Sequence, residues 1–584
     1  MRAITPKLCS TWAKKLPLLL ILLALPAVAP AQPIYTTNSD GSLNVSGYSG
    51  TAGTVVIPNT TNNNLRVTSI GDAAFFEDSS LTNVTIGTNV VSIGGQAFSY
   101  SGLATVSIPG SVTNLAFSVF FDCNSLTAIN VNTNNPVYSS VAGVLFDESQ
   151  TTLIEYPEGK AGSYTVPDSV TNLGIYAFYY STNLTSVILP AGVIGMGDYA
   201  FLLCYGLSAI TVNTNNPVYS SAAGVLFNKS LTTLIQYPVG SAAASYVMPN
   251  SVTNIGMEAF DGSGSLVSVT IGTNVSIIGG AAFEYCPVLA SMTLPDSVTQ
   301  IQGDAFVDCY DLTNLVIGAG VTNIQSQAFL DCTSLQHISV ATNNPAFSSV
   351  GGVLFNSSQT ALYLYPAGSS GISYVIPNSV TRVQDDAFGE CYNLTSITIG
   401  TNVLSFGDGT FSHCYYLTSV TIPNSVTNLG FSTFFECYSL TNVTIGTGVT
   451  TLGFQDFAYC DSLAGIYFPS NAPSFSSDVF DNDSATVVYY LPGTTGWSAL
   501  FDGLPTALWL PYAQTDDENF GVRANGFGFT IIWANGQRAV VQASTNLLNP
   551  VWSPVGTNIF TGVSSVFRDS QWTNYSRRFY RLSP

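Results

Sequence analysis

Charge is the scarcest property of this chain. Asp, Glu, Lys and Arg together make up 8% of its 584 residues, where an ordinary soluble protein carries roughly a quarter. Positive charge is scarcer still. Between Pro33 and Thr515 the only basic residues are Arg66, Lys160, Lys229 and Arg382, against 30 acidic ones, a balance of 4 − 30 = −26. Nucleic acid is thereby excluded as a ligand of this stretch, because phosphates need Lys and Arg. Unaided adsorption to an anionic membrane is excluded for the same reason. Histidine occurs only at His337 and His413, and no cysteine pair has the C-x2-C spacing, so the usual groupings of a zinc site are missing. There is no G-x-S-x-G elbow, no H-E-x-x-H and no phosphate-binding P-loop, the motifs that would announce common hydrolases and nucleotide enzymes. Asp481-Asn482-Asp483 lacks the glycine and the distal glutamate of a calcium loop. No catalytic residue, metal or cofactor is expected. A glycosidase carboxylate pair would need a segment that breaks the chain's repeat, and no acidic residue sits in one.

Long apolar runs are confined to Leu16–Val28, behind Lys14 and Lys15 and ahead of Ala29-Pro30-Ala31. That order reads as an export signal, residues 1–31, cleaved before Gln32, with an uncleaved anchor as the alternative. The run is short for a membrane span. No transmembrane segment is expected in the mature chain.

What is abundant is apolar and neutral polar. Hydrophobic residues reach 46% and aromatics 12%, ample for a core. A phenylalanine returns every 23 residues, usually with a cysteine three positions on: Phe201/Cys204, Phe283/Cys286, Phe306/Cys309, Phe329/Cys332, Phe388/Cys391, Phe411/Cys414, Phe434/Cys437 and Phe457/Cys460. A fixed period of this size means one coil of backbone stacked on itself. In the coil 251–272, Leu266, Val269 and Ile271 alternate as in a half-buried strand. Val252 and Ile255 point inward on the return side, and Ala259-Phe260 plugs the core through a tight turn or one helical turn. Three coils are longer, 35 or 36 residues, and begin at Val131, Val212 and Val340 with N-N-P and end in G-V-L-F and a further strand. Their extra residues form a β-hairpin that projects from one edge or widens the coil.

The string S-V-T-x-I-G-x-x-A-F-x-x-C-x-x-L-T-x-V-x-I, with the longer N-P-x-Y-S-S-x-x-G-V-L-F unit, resembles BspA-type leucine-rich repeats from about Asn38 to Leu491. The resemblance implies a repeat solenoid, mainly β, on an exported protein linked with adhesion or protein binding. It implies no catalytic residues. Residues 33–491 are read as this solenoid, 492–515 as its C-terminal cap and linker, and 516–584 as a small antiparallel β-sandwich-like module. The Asn535-Gly536 pair marks a hairpin turn in that module. With four acids and six arginines, the module is locally basic.

The cysteines Cys204, Cys286, Cys309, Cys332, Cys391, Cys414, Cys437 and Cys460 are read as a core ladder. Adjacent rungs give them parallel Cβ vectors, whereas a disulfide needs convergent ones. They should be buried thiols acting as small hydrophobes. Tyr205, Tyr310, Tyr392, Tyr415 and Tyr438 each follow a ladder cysteine, so their rings should face outward or across the coil edge. There they contact a ligand or cover the rung beneath. Thr395, Thr398, Thr418, Thr421, Asn442 and Thr444 belong to an outward Thr/Ser/Asn lattice that suits a repetitive ligand, or only a soluble strand. The expected protein is a monomeric, exported, secreted or cell-surface binding or adhesion protein with an extracellular protein or glycan as partner. Carbohydrate or regular-lattice binding is the alternative, and an enzyme the remaining one.

Overall fold

The computed structural model describes residues 32–50, 53–524, 526–533 and 537–584. The expected export signal and the expected Asn535-Gly536 turn lie outside these residues. The chain divides into two compact units, the residues up to Ser139 and Ser140–Pro584.

The smaller unit opens with an antiparallel hairpin, Gln32–Thr37 on Leu43–Ser49, whose register slips between Ile34 and Tyr35. Leu43–Ser49 then pairs in parallel with Val67–Ile70, and the ladder continues through Ser92–Ile93 and Asn114–Leu115. A second parallel sheet runs through Thr54–Ile57, Asn83–Ile86, Thr105–Ile108 and Ala128–Val131. This is a β-solenoid with almost no helix.

The larger unit repeats the same coil and shows its logic. Ser291–Leu294 and Asn314–Ile317 alternate exposed and buried residues, as a pleated strand with one dry face must. They pair in parallel with each other, and Asn314–Ile317 pairs on its other side with His337–Val340. The return side supplies a second ladder of two-residue strands, Asn254–Ile255, Ile277–Ile278, Gln300–Ile301 and Asn323–Ile324. A third ladder runs along the phenylalanine turn. Phe260 donates its N–H to the Ala282 carbonyl, Phe283 to Ala305 and Phe306 to Ala328, at 2.8, 2.8 and 2.9 Å.

That turn is not helical. The residues two before and two after the phenylalanine are left-handed, as at Asp304 and Asp308 (φ 59° and 58°) and Asp386 and Glu390 (φ 51° and 57°). Short polar side chains tolerate this region best, and Asp recurs there, but so do Tyr and Glu. The phenylalanine rings between them stack from coil to coil, with centroids 4.7 Å apart for Phe260–Phe283 and 5.1 Å for Phe283–Phe306.

The long coils carry antiparallel meanders. Tyr219–Ala222 pairs with Val225–Asn228 and that strand with Thr233–Gln236, which rejoins the return ladder at Asn254–Ile255. Ala223-Gly224 turns the hairpin with both φ positive, 51° and 80°, the twist that suits a two-residue hairpin. Phe347–Val350, Val353–Asn356 and Ala361–Leu364 repeat the arrangement. Of the two open expectations, the hairpin widens the coil, because its last strand is a rung. Tyr237 and Tyr365 take the phenylalanine place and stack on Phe260 and Phe388 at 5.1 and 5.2 Å.

The parallel ladder extends one strand past Leu491. Val487–Tyr490 pairs with Leu504–Leu508, and Leu500–Phe501 folds back on it antiparallel. The C-terminal module packs two antiparallel sheets. One centres on Gly526–Ile532, flanked by Tyr512–Gln514, Gly521–Arg523 and Ser564–Asp569. The other is Ser553–Ile559, Arg538–Ser544 and Phe579–Ser583. Phe529, Ile531, Trp533, Val541, Phe560 and Phe567 fill the space between.

Candidate functional site

All nine described cysteines are buried thiols. Most donate to the carbonyl of the phenylalanine one coil back: Cys204 to Phe178 at 2.8 Å, Cys309 to Phe283 at 3.2 Å, Cys332 to Phe306 at 3.2 Å and Cys460 to Phe434 at 3.2 Å. Burial pushes the thiols of Cys204 and Cys309 up to about 12. Only the thiolate is nucleophilic, so these groups are chemically quiet. Where serine takes the slot, the hydroxyls of Ser181 and Ser263 find no hydrogen-bond partner, whereas Ser101 meets the Cys123 thiol at 3.4 Å. Under denaturing, non-reducing conditions, thiol titration should find the nine described cysteines, Cys123 and the eight of the ladder, unpaired with one another. Eight of them paired would contradict the ladder.

The tyrosines divide. Tyr392, Tyr415 and Tyr438 come together as a stack, with centroids 4.9 Å apart at both steps and interplanar angles of 22° and 26°. Tyr310 instead meets Tyr285 edge-on at 6.3 Å, and Tyr205 meets Tyr180 edge-on at 6.1 Å. Tyr205 also leans over Gly262, where a Cβ would come within 3.1 Å of its ring. In the three-ring stack the faces cover one another, so edges and hydroxyls are what the stack offers. Those hydroxyls lie beside acids: Tyr438 donates to Glu436 at 2.5 Å, and Tyr310 to Asp308 at 2.7 Å. His413 stands 3.7 Å from Glu436. Burial, followed by a hydrogen bond to Glu390, pushes Asp331 up to about 7. The row is therefore acidic, and Asp331 within it keeps its proton up to near neutrality.

The threonine lattice has two parts. Thr395 donates its hydroxyl to the Ile372 carbonyl, Thr418 to Thr395 and Thr441 to Thr418, at 2.9, 3.1 and 2.9 Å. These hydroxyls link coil to coil. Asn442 caps Thr441 at 3.1 Å. Thr398 and Thr421 are exposed and Thr444 half-buried on the strand face. Thr421 and Thr444 pair in register, and the row continues into Tyr467 and Tyr489.

That continuation was not singled out in the sequence. Tyr467 and Tyr489 stack at 4.9 Å, and Trp509 tilts against Tyr467 at 5.2 Å. Gly465 makes room, since a Cβ there would lie 2.9 Å from the Tyr467 hydroxyl. The signal was available: both tyrosines occupy the register of Thr421 and Thr444. A second missed feature is a pair of clefts at the long coils. These coils lack the left-handed turn, so a gap opens beside Tyr363, Gln327 and Asp386 (about 240 Å³) and beside Ile235, Tyr199 and Glu258 (about 210 Å³). Among the described residues no group of three or more His, Cys, Asp or Glu is placed to hold a metal ion. No described helix is long and apolar enough to cross a membrane.

Comparison with known families matches the chain to the BspA type leucine rich repeat region, in six copies, over residues 54–160, 156–237, 240–360 and 367–486. Among solved structures it is similar to a leucine rich cell surface protein from Faecalibacterium prausnitzii A2-165, with 22% identity, 74% of this chain and 92% of that one covered, and a TM-score of 0.33. It is similar to a leucine-rich repeat protein from Eubacterium ventriosum, with 18% identity over 82% and 98% of the two chains and a TM-score of 0.28. A third similar structure is the pneumococcal vaccine antigen PcpA, with 16% identity over 79% and 94% and a TM-score of 0.32. No curated protein matches the chain by sequence. The family match spans most of the chain, and its unit is the coil built here on phenylalanine, cysteine and the strand L-x-x-V-x-I: the chain belongs to the BspA-type leucine-rich repeat family.

Proposed function

We propose that this is an exported, non-catalytic binding or adhesion protein whose repeat surface engages an extracellular protein. The observation that carries the reading is the Tyr392–Tyr415–Tyr438 stack. Rings already fixed by stacking lose little freedom on binding, and their edges and hydroxyls suit a protein surface. The coil-to-coil bonds of Thr395, Thr418 and Thr441 weigh against those hydroxyls as a lattice for a repetitive ligand. The reading takes residues 1–31 as the export signal and the mature chain as a monomer.

The test is capture of extracellular protein by the full chain and by Tyr392→Ala/Tyr415→Ala. Affinity should fall about tenfold or more in the double variant, the scale of an aromatic hot spot. Unchanged capture would remove the stack from the interface.

A second reading is glycan binding on the strand face. Tyr467, Tyr489 and Trp509 favour it, because they form an aromatic continuation of a polar row. A glycan array with the full chain separates the two. Sugar binding lost in Tyr489→Ala and kept in the Tyr392/Tyr415 variant would support it.

A further inference from the structure

The C-terminal module is left open along one side. Strand Phe579–Ser583 pairs only with Arg538–Ser544, and Tyr512–Gln514 only with Gly526–Ile532, among the described residues. Both are therefore edge strands, each with a row of backbone groups that no neighbouring strand takes up. Between them lies a cleft of about 650 Å³, walled by Phe520, Phe527, Trp552 and Tyr580. Tyr580 is held in place by stacking on Phe527 at 5.2 Å and by donating to Asp569 at 2.7 Å. The loop at the rim leaves Leu547, Leu548 and Val551 exposed at 54%, 91% and 78%. Aliphatic side chains grouped in water at the mouth of an aromatic cleft mark a contact surface.

Charge narrows the occupant. Arg578 is neutralised by Asp569 at 2.9 Å. Arg581 is not. It lies over the Trp552 ring at 4.7 Å, and Gln542 fixes its Nε at 2.7 Å. Arg577 is exposed just before the strand that carries Arg581. With six arginines against four acids, the module is the one basic region of the mature chain.

We propose that this cleft takes an extended strand from a partner protein, added to the free edge of Phe579–Ser583, with apolar side chains turned into the cleft and acidic ones meeting Arg581 and Arg577. Strand addition draws affinity from backbone hydrogen bonds and specificity from alternate side chains, and an aromatic cleft beside an open edge supplies both. This site is separate from the tyrosine stack, so either can fail without the other.

Calorimetry on the full chain with three decapeptides tests it: alternating Val-Glu, alternating Val-Lys and alternating Ser-Glu. Val-Glu should bind saturably. Val-Lys and Ser-Glu should bind at least about tenfold more weakly, for want of charge and of apolar contact respectively. Arg581→Glu, a surface change that leaves the core untouched, should weaken Val-Glu by about tenfold or more. Trp552→Ala should weaken it too, without affecting its preference for acid over base. No saturable binding of Val-Glu would overturn the proposal. So would equal binding of all three peptides, or no effect of Arg581→Glu.

Discussion

Replacing Asn344 with alanine will unfold the third long coil, while the same change at its neighbour Asn343 will be almost silent. Asn344 is buried, and its amide makes four hydrogen bonds. Nδ2 donates to the carbonyls of Gly318 and Val321 at 2.8 and 2.9 Å. Oδ1 accepts from the N–H groups of Ala346 and Phe347 at 2.9 and 2.8 Å. Alanine would strand these backbone groups in a dry site, where each unsatisfied group costs about 1–3 kcal/mol. Allowing for partial relaxation, the loss should be on the order of 3–5 kcal/mol. Asn216 and Asn135 hold the other long coils identically, the first at 3.0 and 2.7 Å from the Pro190 and Val193 carbonyls, the second at 3.0 and 2.8 Å from those of Pro109 and Val112. Asn343 is exposed. Urea unfolding and amide exchange across 340–365 are the measurements. An Asn344→Ala chain within about 0.5 kcal/mol of Asn343→Ala would refute the assignment.

The second large effect is a stability that declines as pH rises toward neutrality, the reverse of ordinary acid unfolding. Burial raises Glu258, Asp261 and Asp331 to about 7, Asp386 and Asp456 to about 6, and Asp483 to about 8. Unfolded, such groups titrate near 4. The folded chain therefore holds protons that the unfolded chain has released. Stability is greatest below about pH 4–5 and is lost progressively as pH climbs through the folded values, up to about 8. The acidic excess of the coils pushes the same way, because self-repulsion grows as carboxylates ionise. Asp483 is the sharpest case. It occupies the ladder position that cysteine holds at Cys460, it is 4% exposed, and no side chain hydrogen-bonds its carboxyl oxygens. Asp483→Cys should leave stability unchanged at pH 4 and raise it by a few kcal/mol at pH 8, since each tenfold change in proton affinity is worth about 1.4 kcal/mol. Thermal melts of both chains across this range would decide. A wild-type melting temperature that rises steadily from pH 5 to 8 would contradict the buried, protonated acids.

The period of the coils and the inward face of Phe260, Cys286, Val269 and Ile271 were legible because burial imposes a strict spacing. The left-handed turn was legible only in hindsight. Asp304 and Asp308 look like ordinary surface acids until their φ values are known. The role of Asn344 was hidden in the N-N-P motif. Two adjacent asparagines are equivalent as letters, and only the direction of the chain at the hairpin sends one inward. The surface was least legible. Thr418 comes just before the strand Ser419–Thr421 and Thr421 ends it, yet the first hydroxyl serves the preceding coil and the second residue is exposed. Tyr205 shares its place in the repeat with Tyr392, but a long coil intervenes between Cys204 and Phe260, and its ring meets Tyr180 and Gly262 instead of a column of equals.

The opening hairpin has a consequence for self-assembly. A stack of parallel rungs would ordinarily expose a terminal strand onto which another molecule could add, and then another, as a growing filament. Here the first parallel strand, Leu43–Ser49, is already covered by Gln32–Thr37 running the opposite way. Its outer edge carries Pro33, which has no N–H to offer, and a register slip between Ile34 and Tyr35 that no regular rung would match. The return ladder of a coil made of interchangeable units is thus closed to further rungs at this end by a strand that runs against its direction, whereas among the described residues Thr54–Ile57 ends the other sheet with no such cover.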